Sequence, residues 1–169
     1  MEQFIYLKEQ CSMSYPVGEY FYSNTSFIRE TAKIIREVYP NDKIILVVRG
    51  HSGSILAGGI AYLLHKAGRS VRISISRKEE NSHGGNLDCI HRNMEESERI
   101  IVVDDFVESG DTIYKILEDL DSLTGKGYYD MLCMANRWDD EKLTTHSNGE
   151  TYNDIISHFR YICCNEPYE

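Results

Sequence analysis

Asp104 and Asp105 stand directly after four consecutive β-formers, residues 100–103, and just ahead of a turn built from small and polar residues, Glu108-Ser109-Gly110-Asp111-Thr112. An uninterrupted β-branched run is the pattern of a strand covered on both faces, as in a parallel sheet. Helical spacing takes over after the turn: Ile113, Ile116, Leu117 and Leu120 fall at i, i+3, i+4 and i+7. The turn therefore joins a strand end to a helix start, where free backbone amides and the helix dipole favour an anion. A phosphate suits that position. Asp104 and Asp105 are expected to close the strand at the carboxyl edge, where open α/β sheets bind ligands. Carboxylates beside a phosphate imply sugar hydroxyls or Mg²⁺ between them, because bare acid would repel it. A Walker A loop is excluded, since Asp111 and Asp105 occupy the positions of its Lys and first Gly.

A second group, Arg49-Gly50-His51-Ser52-Gly53-Ser54, follows another apolar run in the same way. Glycine permits close backbone approach, and Arg49 and His51 add positive charge, which suits a second anion. The same residues also come one position short of a G-x-S-x-G nucleophile elbow, which would make Ser52 the nucleophile of a hydrolase. Ser54 at the fifth position and the short chain count against that alternative. A third group, Arg77-Lys78-Glu79-Glu80-Asn81-Ser82-His83-Gly84-Gly85, opens a polar stretch over 77–98 with few large apolar residues. A loop this long in a compact domain is commonly a lid or disordered.

These groups need a scaffold, and hydrophobic periodicity supplies one. A helix is expected from about Ser26 with a hydroxyl cap, carrying Ile28, Ala32, Ile35 and Val38 on one face and stopping at Pro40. A strand follows over 43–49, then a small, flexible 50–54 stretch, a helix over 55–67 ended by Gly68, and a half-exposed strand in which Val71, Ile73 and Ile75 alternate with Arg72, Ser74 and Ser76. Later strands are expected over 128–135 and 160–164, with a short helix over 152–156. Strands alternating with helices predict an α/β fold: one domain over residues 1–169, a mainly parallel central sheet and helices on both sides.

The chain has 169 residues, 41% hydrophobic and 27% charged, which suits one substantial core. A net charge of −9 argues against non-specific nucleic-acid binding, which needs clustered Lys and Arg. The five cysteines show no C-x-x-C spacing and read as reduced thiols. With no apolar run long enough for a leader or a membrane span, a cytoplasmic location is expected, with no membrane partner.

The stretch from Ile100 to Thr112 resembles the phosphoribosyl pyrophosphate (PRPP) motif of type I phosphoribosyltransferases: apolar strand, acid pair, then a phosphate loop. The resemblance implies that Asp104 and Asp105 hold the ribose hydroxyls, with Mg²⁺ reached indirectly through PRPP. It assigns the 5′-phosphate to Glu108, Ser109, Gly110, Asp111 and Thr112. Arg49, Gly50, His51 and Ser52 resemble the pyrophosphate loop of that family, and the 77–85 group resembles the mobile loop of its orotate-specific members. Arg77 and Lys78 are thereby implied in pyrophosphate binding, and Lys78, His83 and Glu108 in catalysis, Glu108 as acceptor of the base's proton. Two positions depart from the pattern: Asp111 stands where Gly or Lys is common, and Asn81 where a catalytic Lys is expected. The implied function is Mg²⁺-dependent transfer of ribose 5-phosphate from PRPP to a nucleobase, in a homodimer. The core would span about 26–135, and residues 1–25 and 136–169 would form a small hood. A non-catalytic PRPP-binding regulator of the same fold is the alternative.

Overall fold

The computed structural model describes residues 4–7, 25–76, 98–107, 111–124, 129–136 and 159–165. In chain order these are β1 (Phe4–Leu7), α1 (Ser26–Val38), β2 (Lys43–Val48), α2 (His51–Lys66), β3 (Val71–Ile75), β4 (Glu98–Val107), α3 (Asp111–Thr124), β5 (Tyr129–Asn136) and β6 (Phe159–Asn165). The strands form one six-stranded sheet in the order β1-β6-β5-β4-β2-β3, and every neighbouring pair is parallel. The expected α/β class and parallel sheet are therefore observed.

Alternation along β2 divides the core in two. Ile44, Leu46 and Val48 pack with Ile101 and Val103 of β4 against Ala32 and Ile35 of α1 and Leu56, Ile60 and Leu64 of α2. Ile45, Val47, Ile100 and Val102 are equally buried but point the other way, toward the face where Ile113, Ile116, Leu117 and Leu120 of α3 lose all or nearly all exposure. At about 25 cal/mol per Å² of apolar surface removed from water, such fully covered strands dominate the stability of the fold. Helices on opposite faces follow from topology. The path from β2 to β3 moves one way along the sheet and that from β4 to β5 the other, so right-handed crossovers put α2 and α3 on opposite sides.

Several boundaries differ from those the sequence suggests. α1 begins after Thr25 with no side-chain capping bond, so the expected hydroxyl cap is absent; it ends ahead of Pro40, with the Tyr39 N–H donating to the Ile35 carbonyl at 2.9 Å. α2 starts at His51, so residues 51–54 are its first turn and not a flexible stretch. β4 does not close at the acid pair. It continues to Val107 because β5 stays in register beside it, with Asp104 opposite Cys133 and Val107 opposite Asn136. In β3 the expected exposure is reversed at its end: Ile75 is 41% exposed while Ser74 and Ser76 are buried. Val71 and Ile73 pack with the α1/α2 cluster, Ile75 shares their face near the strand's end, and the two serines turn toward α3.

The terminal segments contribute β1 and β6, which pair with each other and extend the main sheet. Residues 1–3, 8–24, 137–158 and 166–169, which make up most of the expected hood over 1–25 and 136–169, lie outside the described residues, as does the expected helix over 152–156. At the opposite edge of the sheet, Arg69 ties down the α1–β2 corner by donating to the backbone carbonyls of Tyr39, Pro40 and, at 2.8 Å, Asp42. The Tyr39 hydroxyl donates to the buried Asp130 carboxylate. Among the described residues no helix is long and apolar enough to cross a membrane.

Candidate functional site

β2 and β4 are neighbours in the sheet, paired from Lys43 opposite Glu98 to Val48 opposite Val103, yet their chains leave in opposite directions. That is a topological switch point, where a crevice opens outside the carboxyl ends of the strands. Both sequence groups that suit anions converge there. One residue past the last pair, Arg49 and Asp104 fall side by side on the face covered by α3, because Val48 and Val103 face α2.

Gly50 forms the corner between β2 and α2, with φ 91° and ψ 179°, a conformation that costs a residue with a Cβ about 1–3 kcal/mol. No side chain caps α2 at Gly50. Its first amides, at His51, Ser52 and Gly53, are thus the orphan donors that a helix N-terminus offers to an anion. The Ser54 hydroxyl donates back to the Gly50 carbonyl at 2.6 Å, holding the corner from inside the helix. His51 is exposed and Ser52 half-buried. Gly53 brings this turn directly onto β4: a Cβ there would lie 3.0 Å from the Val103 carbonyl oxygen and 3.8 Å from Asp104 Cα. The absence of a side chain at Gly53 thus lets the α2 start sit against β4 at Val103 and Asp104. Ser52 is helical and the positive φ lies two residues earlier, which is not the strained serine of a nucleophile elbow.

Arg49 is held from below. Its Nη1 donates to Ser76 Oγ at 2.7 Å and lies 3.6 Å from Asp119 Oδ2, and the Ser76 hydroxyl donates to the same Asp119 oxygen at 2.6 Å. The Arg49 and Asp119 side chains are only 14% and 12% exposed. Sequence reasoning missed Asp119 and Ser76. Asp119 reads as one more acid on an amphipathic helix, and Ser76 as the outward position of an alternating strand.

Asp104 is 6% exposed, so this carboxylate belongs to the sheet as well as to its edge. Asp105 lies in β4. α3 starts at Asp111, so Asp111 and Thr112, expected in the turn, belong to its first turn, with Asp111 exposed and Thr112 half-buried. A carboxylate in a first turn is favourable to the helix dipole, which gives Asp111 a structural role of its own. Glu108, Ser109 and Gly110 of the expected phosphate loop lie outside the described residues, as do Arg77, Lys78 and His83. On α3 the Lys115 ammonium, bonded to Glu118 at 2.6 Å, pulls the Glu118 carboxyl below the ordinary glutamate value, with burial opposing it and the Tyr114 hydroxyl and Arg49 adding to it. Among the described residues no group of three or more His, Cys, Asp or Glu is placed to hold a metal ion.

No family model matches this sequence, and no curated protein sequence does. Solved structures do resemble the fold. A hypoxanthine phosphoribosyltransferase of Trypanosoma cruzi superposes with a TM-score of 0.53 at 13% identity, over 84% of this chain and 76% of that one. One from Staphylococcus aureus gives 0.52 at 13% identity, over 86% and 74%. A hypoxanthine-guanine-xanthine phosphoribosyltransferase gives 0.50 at 15% identity, over 83% and 74%. The architecture of this chain is thus the type I phosphoribosyltransferase fold.

Proposed function

We propose that, on this fold, the chain transfers ribose 5-phosphate from PRPP to a nucleobase and releases pyrophosphate. The observation that carries the reading is the switch point itself: an uncapped helix start with a glycine-only corner beside a carboxylate on the adjacent strand, one residue past the last β2–β4 pair. A ligand with an anion at one end and sugar hydroxyls next to it fits that pair.

In the reaction the bond from the anomeric carbon to the pyrophosphate oxygen breaks, and a bond to a ring nitrogen of the base forms. Positive charge builds on the ribose ring and negative charge on the leaving group, so fixed dipoles and cations aimed at the leaving group lower the barrier most. The α2 amides and Arg49 would meet the pyrophosphate, with Arg77 and Lys78 closing on it. Asp104 and Asp105 would hold the ribose hydroxyls, and the start of α3 with Glu108, Ser109, Gly110 and Thr112 the 5′-phosphate. Glu108 would accept the proton that the base loses, while Lys78 and His83 would act on the leaving group.

Mg²⁺ keeps much of its water and is commonly held by one or two carboxylates together with substrate phosphates. The acid pair suits such sharing, and the ion would neutralise charge gathering on the pyrophosphate. The solved neighbours are named for hypoxanthine, guanine and xanthine, which puts purines first among the acceptors. Asp111 favours a second reading, a PRPP-binding regulator without turnover, because its carboxylate opposes a phosphate at the same helix start.

Incubation with PRPP, Mg²⁺ and, in turn, hypoxanthine, guanine, xanthine, adenine, uracil and orotate separates the two. Nucleotide and equimolar pyrophosphate with one base are expected. Binding of Mg-PRPP with no product from any base would establish the regulator, and no binding at all would overturn both.

A further inference from the structure

The conformation of Gly50 must be imposed by its surroundings, since an unusual backbone geometry persists only where neighbouring contacts determine it. Four bonds flank this corner. The Ser76 N–H donates to the Val48 carbonyl at 2.8 Å, and the Ser54 hydroxyl to that of Gly50 at 2.6 Å. Arg49 Nη1 donates to Ser76 Oγ, and Ser76 Oγ to Asp119 Oδ2. Three of the four involve Ser76, and the last links the corner to α3, on the opposite face of the sheet from α2.

We infer that Asp119 and Ser76 are positioning residues for the anion site at the start of α2, acting through Arg49. This rests on the reading of that helix start as the pyrophosphate site. A guanidinium with most of its surface covered needs a carboxylate partner, and a rigid fork loses less freedom per bond than an ammonium would. With Asp119 in place, Arg49 leaves β2 in one orientation, and the peptide it shares with Gly50 is aimed before any ligand arrives. Without it, Arg49 keeps its charge but loses its seat. The amides of His51 and Ser52 then adjust only on binding, which costs affinity. Asp119 itself lies on α3 beneath the site and needs no contact with the ligand.

The test is calorimetric titration of the full chain with Mg-pyrophosphate and Mg-PRPP, for wild type, Asp119→Asn, Asp119→Glu, Ser76→Ala and Arg49→Gln, and for the double variant Asp119→Asn with Arg49→Gln. Asp119→Asn is expected to weaken pyrophosphate binding roughly tenfold, the scale seen when an outer partner of a binding group is removed. Asp119→Glu should recover part of the loss, and Ser76→Ala should lose a few-fold. In the Arg49→Gln background, Asp119→Asn should add little, because its effect runs through Arg49. Equal losses with and without Arg49 would show that Asp119 serves only the fold and would overturn the inference. So would unchanged binding in folded Asp119→Asn and Ser76→Ala proteins, with the proposed function left standing. A wild type that binds neither ligand would overturn both.

Discussion

An alanine Cβ at Gly53 would meet the backbone of β4 at 3.0 Å, and a central strand cannot yield as the tip of a side chain can. Gly53→Ala should therefore cost about 1–3 kcal/mol, as overpacking does. Gly58, in the same helix, has nothing among the described residues within 4 Å of its would-be Cβ. Gly58→Ala should stabilise the fold by about 0.5–1 kcal/mol through helix propensity and a less disordered unfolded chain. Urea unfolding of the two variants reads both signs at once. A Gly53→Ala protein as stable as wild type would show that α2 is not seated on β4. Glu118 supplies a pH dependence. Its folded pKa lies below the ordinary value, so its contribution is present above that value and is lost as pH falls through the folded one. The melting temperatures of Glu118→Gln and wild type should thus differ slightly at pH 7 and converge once the pH falls below the folded pKa. The effect is small because the pair with Lys115 is about half exposed.

At the scale of elements, β4 joins scaffold to site. Its ladder with β5 passes through Asp104, which is nearly buried, so the acid cannot serve a ligand alone. Asp104→Asn is expected to weaken Mg-PRPP binding and to lower stability by about 1–3 kcal/mol, the cost of disturbing a satisfied buried polar group. Titration and thermal unfolding of one preparation check both. An unchanged melting temperature with lost affinity would place the carboxylate wholly at the ligand. The start of α2 was hidden in the sequence because His, Ser and Gly are weak helix formers. Its first turn is stabilised by the Gly50 corner and by packing on β4, which a local pattern does not contain.

Across the whole molecule, stability should follow depth in the sheet. β2 is flanked by β3 and β4 and covered on both faces from Ile44 to Val48. Its amides are expected to exchange only through global unfolding, while those of β1, the last strand in the order, exchange through local opening. Hydrogen exchange measured by NMR or mass spectrometry tests this order. Faster exchange in β2 than in β1 would mean that the sheet does not unfold as one unit around its centre.

The sequence by itself determined the parts. Uninterrupted apolar runs at 44–48 and 100–103 and the spacing of Ile113, Ile116, Leu117 and Leu120 admit few readings, because burial on both faces or along one stripe leaves a periodic mark on the residues themselves. The glycine-rich corner could be placed at a strand end on the same grounds, whereas β4 runs past the acid pair to Val107. Only the tertiary structure decided that β2 lies beside β4, that Phe4 pairs with Ile162, and that Arg49 shares a face with Asp104 and is seated on Asp119. Strand order depends on which crossover closes over which face, and the partner of a buried arginine on which helix packs there. Neither is a property of neighbouring residues, so neither leaves a trace in local pattern.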